Sequence, residues 1–186
     1  MEKLKRIIAA VLMTTICLSS LTACGKTRQS ETYHQRGPLD IQKVTYLIYP
    51  GWVNEVDMYV ITSDLKGEKY TIYPDANKAY DYLNGELPPE HSDENPYEGY
   101  EVTEFEIDEL QWSSIVNVMT RVNFMELDED MSTKDLIDDG ASYYIRVETS
   151  DGVHTSGGYM AGYDDNSDST RFARAREMVE NATKGV

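Results

Sequence analysis

The chain has 186 residues, with 17 basic against 33 acidic side chains for a net charge of −16, and 40% of it is hydrophobic. So acidic a surface repels the phosphates of nucleic acid, which excludes nucleic acid as a partner and leaves cationic or neutral ones. The length suffices for one domain with its own core, and 2 cysteines supply no disulfide framework to replace one.

Met1-Glu2-Lys3-Leu4-Lys5-Arg6 is a short basic region followed by an apolar run from Ile7 to about Leu18. That run is too short to span a bilayer and ends in small residues, which is the pattern of a secretory signal peptide. Leu21-Thr22-Ala23-Cys24 follows and resembles a bacterial lipobox. The resemblance implies cleavage before Cys24, a diacylglyceryl group with palmitate-like chains on its sulfur, and a protein lipid-anchored at the outer face of the cell membrane. Cys17 leaves with the leader, so no thiol remains for a disulfide, a metal or a nucleophile. Loss of Glu2, Lys3, Lys5 and Arg6 makes the remainder two charges more acidic still.

Residues 25–42 are polar and lack apolar periodicity, so residues 24–42 are expected to be the lipidated cysteine and a flexible tether, with a single domain over 43–186. From Lys43 the pattern is β. Val44–Tyr49 is β-branched and aromatic and stops at Pro50-Gly51; Met58–Thr62 and Tyr70–Tyr73 follow at short intervals, which predicts an antiparallel meander. Asp75 is placed to cap a short helix with Ala76, Ala79, Tyr80 and Leu83 on one face and Gly85 as its stop. Residues 86–98, rich in proline and acid, read as a mobile loop. Thr103, Phe105 and Ile107 alternate with Glu104 and Glu106 as a strand does. Asp108 and Gln111 form a capping-box pattern, and Trp112, Ile115, Met119 and Val122 make an apolar helical stripe behind it.

After an acidic connection, Tyr143–Glu148 and Val153–Tyr159 flank Asp151-Gly152, a hairpin signal that favours a type I′ turn. Gly157-Gly158 mark a bulge or a close crossing. Ser167-Asp168-Ser169 offers caps for a last helix with Phe172, Ala175, Val179 and Ala182 on one side. The order β-β-β-α-β-α-β-β-α predicts an α+β fold: an antiparallel sheet, made of a meander plus a C-terminal Asp-Gly hairpin, with about three helices packed on it. Val122-Asn123-Phe124, Asp139-Gly140, the strand pair and the closing helix resemble a group of small extracytoplasmic bacterial lipoproteins of unknown function. The chain departs from that group at Ala161-Gly162-Tyr163-Asp164, and the resemblance implies a fold but no reaction.

Ser63-Asp64-Leu65-Lys66 matches the Ser-x-x-Lys of penicillin-binding enzymes, but it sits in a turn and has no partner motifs. His91 lies among Glu90, Asp93 and Glu94 without the further histidines a zinc site wants. Asp164, Asn166 and Asp168 have the spacing that opens a calcium loop, while Ser169 and Ala175 occupy the positions where an EF-hand needs glycine and glutamate. Calcium through that turn is a weak candidate cofactor, and helix capping competes for the same residues. Tyrosine is the compositional anomaly, 14 against 3 phenylalanines. Tyr46, Tyr59, Tyr70 and Tyr144 fall in predicted strands and are candidate binding residues, since a phenol joins an apolar ring to a polar tip.

The expected function is a membrane-anchored, non-catalytic binding or interaction module, its partner an envelope protein, peptide or glycan. The alternative is a cell-envelope hydrolase drawing an acid and a base from Glu90, Asp93, Glu94, Asp128 and Asp130, which requires two of them about 5–10 Å apart in one cleft.

Overall fold

The computed structural model describes residues 37–51, 55–73, 78–92, 98–135 and 138–186. The expected leader, Cys24, the tether up to residue 36, the cap at Asp75 and the candidates Asp93 and Glu94 lie outside these residues.

Among the described residues, six antiparallel strands form one sheet in the order β4-β3-β2-β1-β5-β6, with three α-helices. The strands are β1 (Ile41–Pro50), β2 (Val56–Thr62), β3 (Lys66–Tyr73), β4 (Gly99–Glu106), β5 (Ala141–Thr149) and β6 (Gly152–Tyr159). The helices are α1 (Ala79–Leu83), α2 (Glu109–Arg121) and α3 (Ser167–Ala182). The protein is therefore an α+β fold, as its alternation of strand and helix patterns leads one to expect. Among the described residues no helix is long and apolar enough to cross a membrane.

β1 is central because both of its faces are buried. Val44 and Tyr46 on one face and Thr45 and Leu47 on the other are nearly inaccessible, which is why the strand reads as a continuous β-branched run. β1 begins at Ile41, Leu39 packs against the core, and the Leu39 amide donates to Thr120 Oγ1 at 3.0 Å. The domain thus takes in residues that polarity alone had assigned to the tether.

Helices α2 and α3 cover one face. The Asp108 side chain accepts from the Gln111 amide and the Gln111 side chain accepts from the Asp108 amide, completing the capping box that opens α2. Ile115 and Met119 then meet Phe172, Ala175 and Val179 of α3 over Tyr46, Ile61 and Ile145 of the sheet. Burying each such aliphatic side chain is worth about 1.5–3 kcal/mol, which fixes both helices on this face. The opposite face is only partly roofed: Tyr82 and Leu83 of α1 pack with Leu47, Val56, Met58 and Ile72.

Three local expectations are corrected. The cap of α3 is Asn166, whose side chain accepts from the Ser169 amide at 2.8 Å, in place of Ser167, Asp168 or Ser169. Thr149 pairs with Gly152 across the β5–β6 turn, so Ser150 and Asp151 are its central residues. Neither has positive φ, so the turn is not type I′. The Thr149 hydroxyl holds it instead, accepting from the amides of Asp151 and Gly152 at 3.2 Å each. Finally, the 86–98 connection is tied down where it is described: Leu87 packs under the sheet and the His91 amide donates to the Tyr100 carbonyl at 2.9 Å. Its proline and acid content hid the pairing because backbone bonds to an edge strand need no apolar alternation.

Candidate functional site

The four tyrosines do not form one platform. Tyr46 and Tyr59 are neighbours in register with rings 6.2 Å apart, and both are buried under the helices. The Tyr46 hydroxyl donates to Glu180, and the Lys69 ammonium lies over the Tyr59 ring at 5.5 Å. Burial and then the Glu180 hydrogen bond hold the Tyr46 phenol far above its usual range. Tyr70 and Tyr144 belong to the opposite face, where Tyr70, Met58, Leu47 and Tyr144 make one continuous cross-strand row. Three strand spacings, about 14 Å, separate the two tyrosines. They flank the buried Met58 and Leu47 rather than face each other.

The calcium candidates are each engaged elsewhere. Asp164 accepts from the Thr133 hydroxyl, Asn166 caps α3, and Asp168 pairs with Arg171 at 2.9 Å. Among the described residues no three histidine, cysteine or carboxylate side chains are grouped to hold a metal ion. Ser63 and Leu65 lie in the β2–β3 turn, and the Lys66 ammonium is 3.5 Å from Asp64, so the Ser-x-x-Lys pair has no helical setting.

Of the described carboxylates named for acid–base work, Glu90 and Asp130 lie at opposite edges of the sheet. Glu90 bridges to Tyr100 outside β4, whereas Asp130 bridges to Gly157 outside β6. With five strand spacings between those edges, some 24 Å, they share no cleft. Asp130 accepts from the Ser132 side of its own turn, which lowers its carboxyl below the ordinary value.

What the fold does assemble is a groove of about 380 Å³ between α1, residues 86–92 and the start of β4. Tyr73, Tyr82 and Leu87 give it apolar wall, Glu86, Glu90 and Glu98 make it acidic, and Lys78 contributes one cation to the lining. Gly99 permits the construction. Its φ is +99°, and a Cβ there would stand 2.7 Å from the Pro89 carbonyl oxygen and 2.9 Å from the His91 nitrogen. Only glycine lets the loop lie so close along the strand. The His91 ring is 5.8 Å from that of Tyr73, and its Nε2 is 4.0 Å from Glu101. Burial, then Glu101, Glu55 and Asp57, raise the Tyr73 phenol; burial and then Glu90 raise that of Tyr100. The Tyr100 hydroxyl donates to Glu90 at 3.4 Å.

Sequence reasoning named Glu90 for a different role, placed Tyr73 among the strand tyrosines and left Glu86 and Glu98 in a loop. The available signal was Pro88-Pro89 just after a short helix, a rigid segment able to turn back on the sheet. Compared with known proteins, the chain matches no family model and no curated sequence.

Proposed function

We propose that the protein is a lipid-anchored extracytoplasmic lipoprotein whose domain is a non-catalytic binding module. The anchor is Cys24, the location the outer face of the cell membrane, and the likeness to small extracytoplasmic lipoproteins belongs to the same reading. The observation that carries the binding role is the groove beside α1, where phenol rings and an apolar wall adjoin Glu86, Glu90 and Glu98. Such a lining suits a peptide segment of an envelope protein that combines an apolar side chain with positive charge. Reading the sheet as a meander plus a C-terminal hairpin is part of this proposal; consecutive pairing of β1 to β4 and of β5 with β6, through a turn centred on Ser150-Asp151, supports it.

Two experiments test it. Cells expressing the full chain are fed a clickable palmitate analogue: wild type takes up label, and Cys24→Ala loses both label and membrane association. Persistent label in that variant refutes the anchor. Envelope proteins are then captured from native membranes with wild type and with a Tyr73→Ala/Glu90→Gln double variant. A partner retained by the first and lost by the second is expected; equal recovery refutes the groove.

A further inference from the structure

Each edge of the sheet is covered over part of its length. On β6 residues 129–133 cover the C-terminal end: the amides of Met131 and Thr133 donate to the carbonyls of Gly157 and Tyr159 at 2.8 and 2.9 Å, and the Gly157 amide donates to the Glu129 carbonyl at 3.1 Å. On β4 only the beginning is covered, where the Tyr100 carbonyl accepts from the His91 amide. That bond shows which way the strand's backbone points. Tyr100 faces outward, so with a period of two Val102, Glu104 and Glu106 do as well. In agreement, the Ile107 amide points inward and donates to the Leu65 carbonyl at 3.0 Å. Among the described residues nothing pairs with the outward amides and carbonyls of Val102, Glu104 and Glu106.

We propose that this open half of β4 is a docking edge for a cationic extended peptide, which adds to the sheet as a further strand. Charge selects the occupant. Glu101, Glu104 and Glu106 are exposed, and Glu104 stands directly opposite Glu68 on β3, an unfavourable like-charge neighbour pair. Lys66 is opposite Glu106 in register, yet its ammonium lies 3.5 Å from Asp64. No described cation forms an ion pair with Glu104 or Glu106. A second copy of the same edge would place glutamate against glutamate, so self-pairing is opposed. Lysine or arginine on an incoming strand meets those carboxylates instead. Room for such a side chain exists: a concavity of about 390 Å³ is lined by Lys66, Gly67, Glu68, Glu104, Phe105 and Glu106. Val102, 48% exposed, offers apolar contact beside it. This surface is distinct from the groove beside α1, and the inference holds or fails without it.

The test uses the full chain in detergent micelles and an alternating Lys-Val octapeptide, with its backbone N-methylated form as control. Hydrogen exchange is read residue by residue. Binding is expected to slow exchange at Val102, Glu104 and Glu106, and N-methylation at the pairing positions to weaken it about tenfold, the effect of losing one or two strand hydrogen bonds. Val102→Pro is expected to weaken binding similarly while leaving exchange at Ile145 unchanged, because the missing amide faces outward. Should that variant not fold, the N-methylated peptide on wild type still decides. Equal affinity for both peptides, or protection confined to the groove, overturns the inference. Protection of the same amides that grows with protein concentration alone assigns the edge to a second copy and overturns it too.

Discussion

The Tyr46 hydroxyl donates to Glu180 Oε1 at 2.5 Å, tying the central strand to the last helix across 134 residues of chain. Glu180 also lies 3.5 Å from the Arg176 guanidinium, which packs beside the stacked Tyr143–Tyr163 pair at 4.3 and 4.9 Å from their ring centres. One phenol, one carboxylate and one cation against a pair of rings therefore fasten α3 to β1 and β5.

Removing the hydroxyl tests the first link of that chain. Tyr46→Phe should cost about 1 kcal/mol, because Glu180 is partly exposed and keeps water and Arg176 as partners. Tyr46→Ala removes a fully buried ring and should cost about 3–5 kcal/mol. Urea unfolding of the two variants at pH 7 measures both. A loss for Tyr46→Phe as large as that for Tyr46→Ala would mean that the hydroxyl, not the ring, organises the junction.

The same junction makes the fold sensitive to alkali. Burial, then the Tyr163 hydrogen bond, push the Tyr143 phenol up to about 12 from its usual 10.0, and Tyr46 is raised further. Above pH 10 the unfolded chain releases these protons while the folded one retains them, so stability is intact below pH 10 and falls as pH rises. Urea midpoints should hold up to pH 10 and drop steeply from there to about pH 12, less steeply in Tyr143→Phe. Parallel pH slopes in wild type and variant would contradict the assignment.

Gly157 is where residues 129–133 cross β6, and a Cβ there would stand 2.3 Å from the Tyr143 carbonyl oxygen and 2.6 Å from Tyr144 Cα. Because both obstacles are backbone, Gly157→Ala should destabilise by about 2–3 kcal/mol. Gly152→Ala meets nothing within 4 Å and should stay within about 0.5 kcal/mol of wild type. Thermal unfolding of the pair checks the contrast, and similar melting temperatures would refute it.

Asn166→Ala should cost about 1 kcal/mol through the lost cap of α3. With Asp164, Asn166 and Asp168 turned to three different partners, calcium and magnesium at equal millimolar concentration should raise the melting temperature of so acidic a chain equally, by screening. An excess for calcium that disappears in Asp164→Ala would restore those residues to the role of ligands.

Local chemistry settled much of this protein in advance. The β-branched run of β1, the Asp108–Gln111 box and the stripe of Ile115 and Met119 are each decided by neighbours within a few residues, and each is where the pattern placed it. Tertiary structure decided what depends on distant partners. Val44 meets Val147 and Tyr46 meets Ile145, so β5 lies beside β1 rather than next to β4, a choice made by burying β1 on both sides. That choice sends Tyr46 and Tyr59 under the helices, leaves Tyr70 and Tyr144 on the other face, and places Glu90 and Asp130 at opposite edges. It also makes β4 an edge strand. Strand periodicity tells which residues share a face; it does not tell which face receives the helices, because that is set by apolar area contributed from elements more than a hundred residues apart.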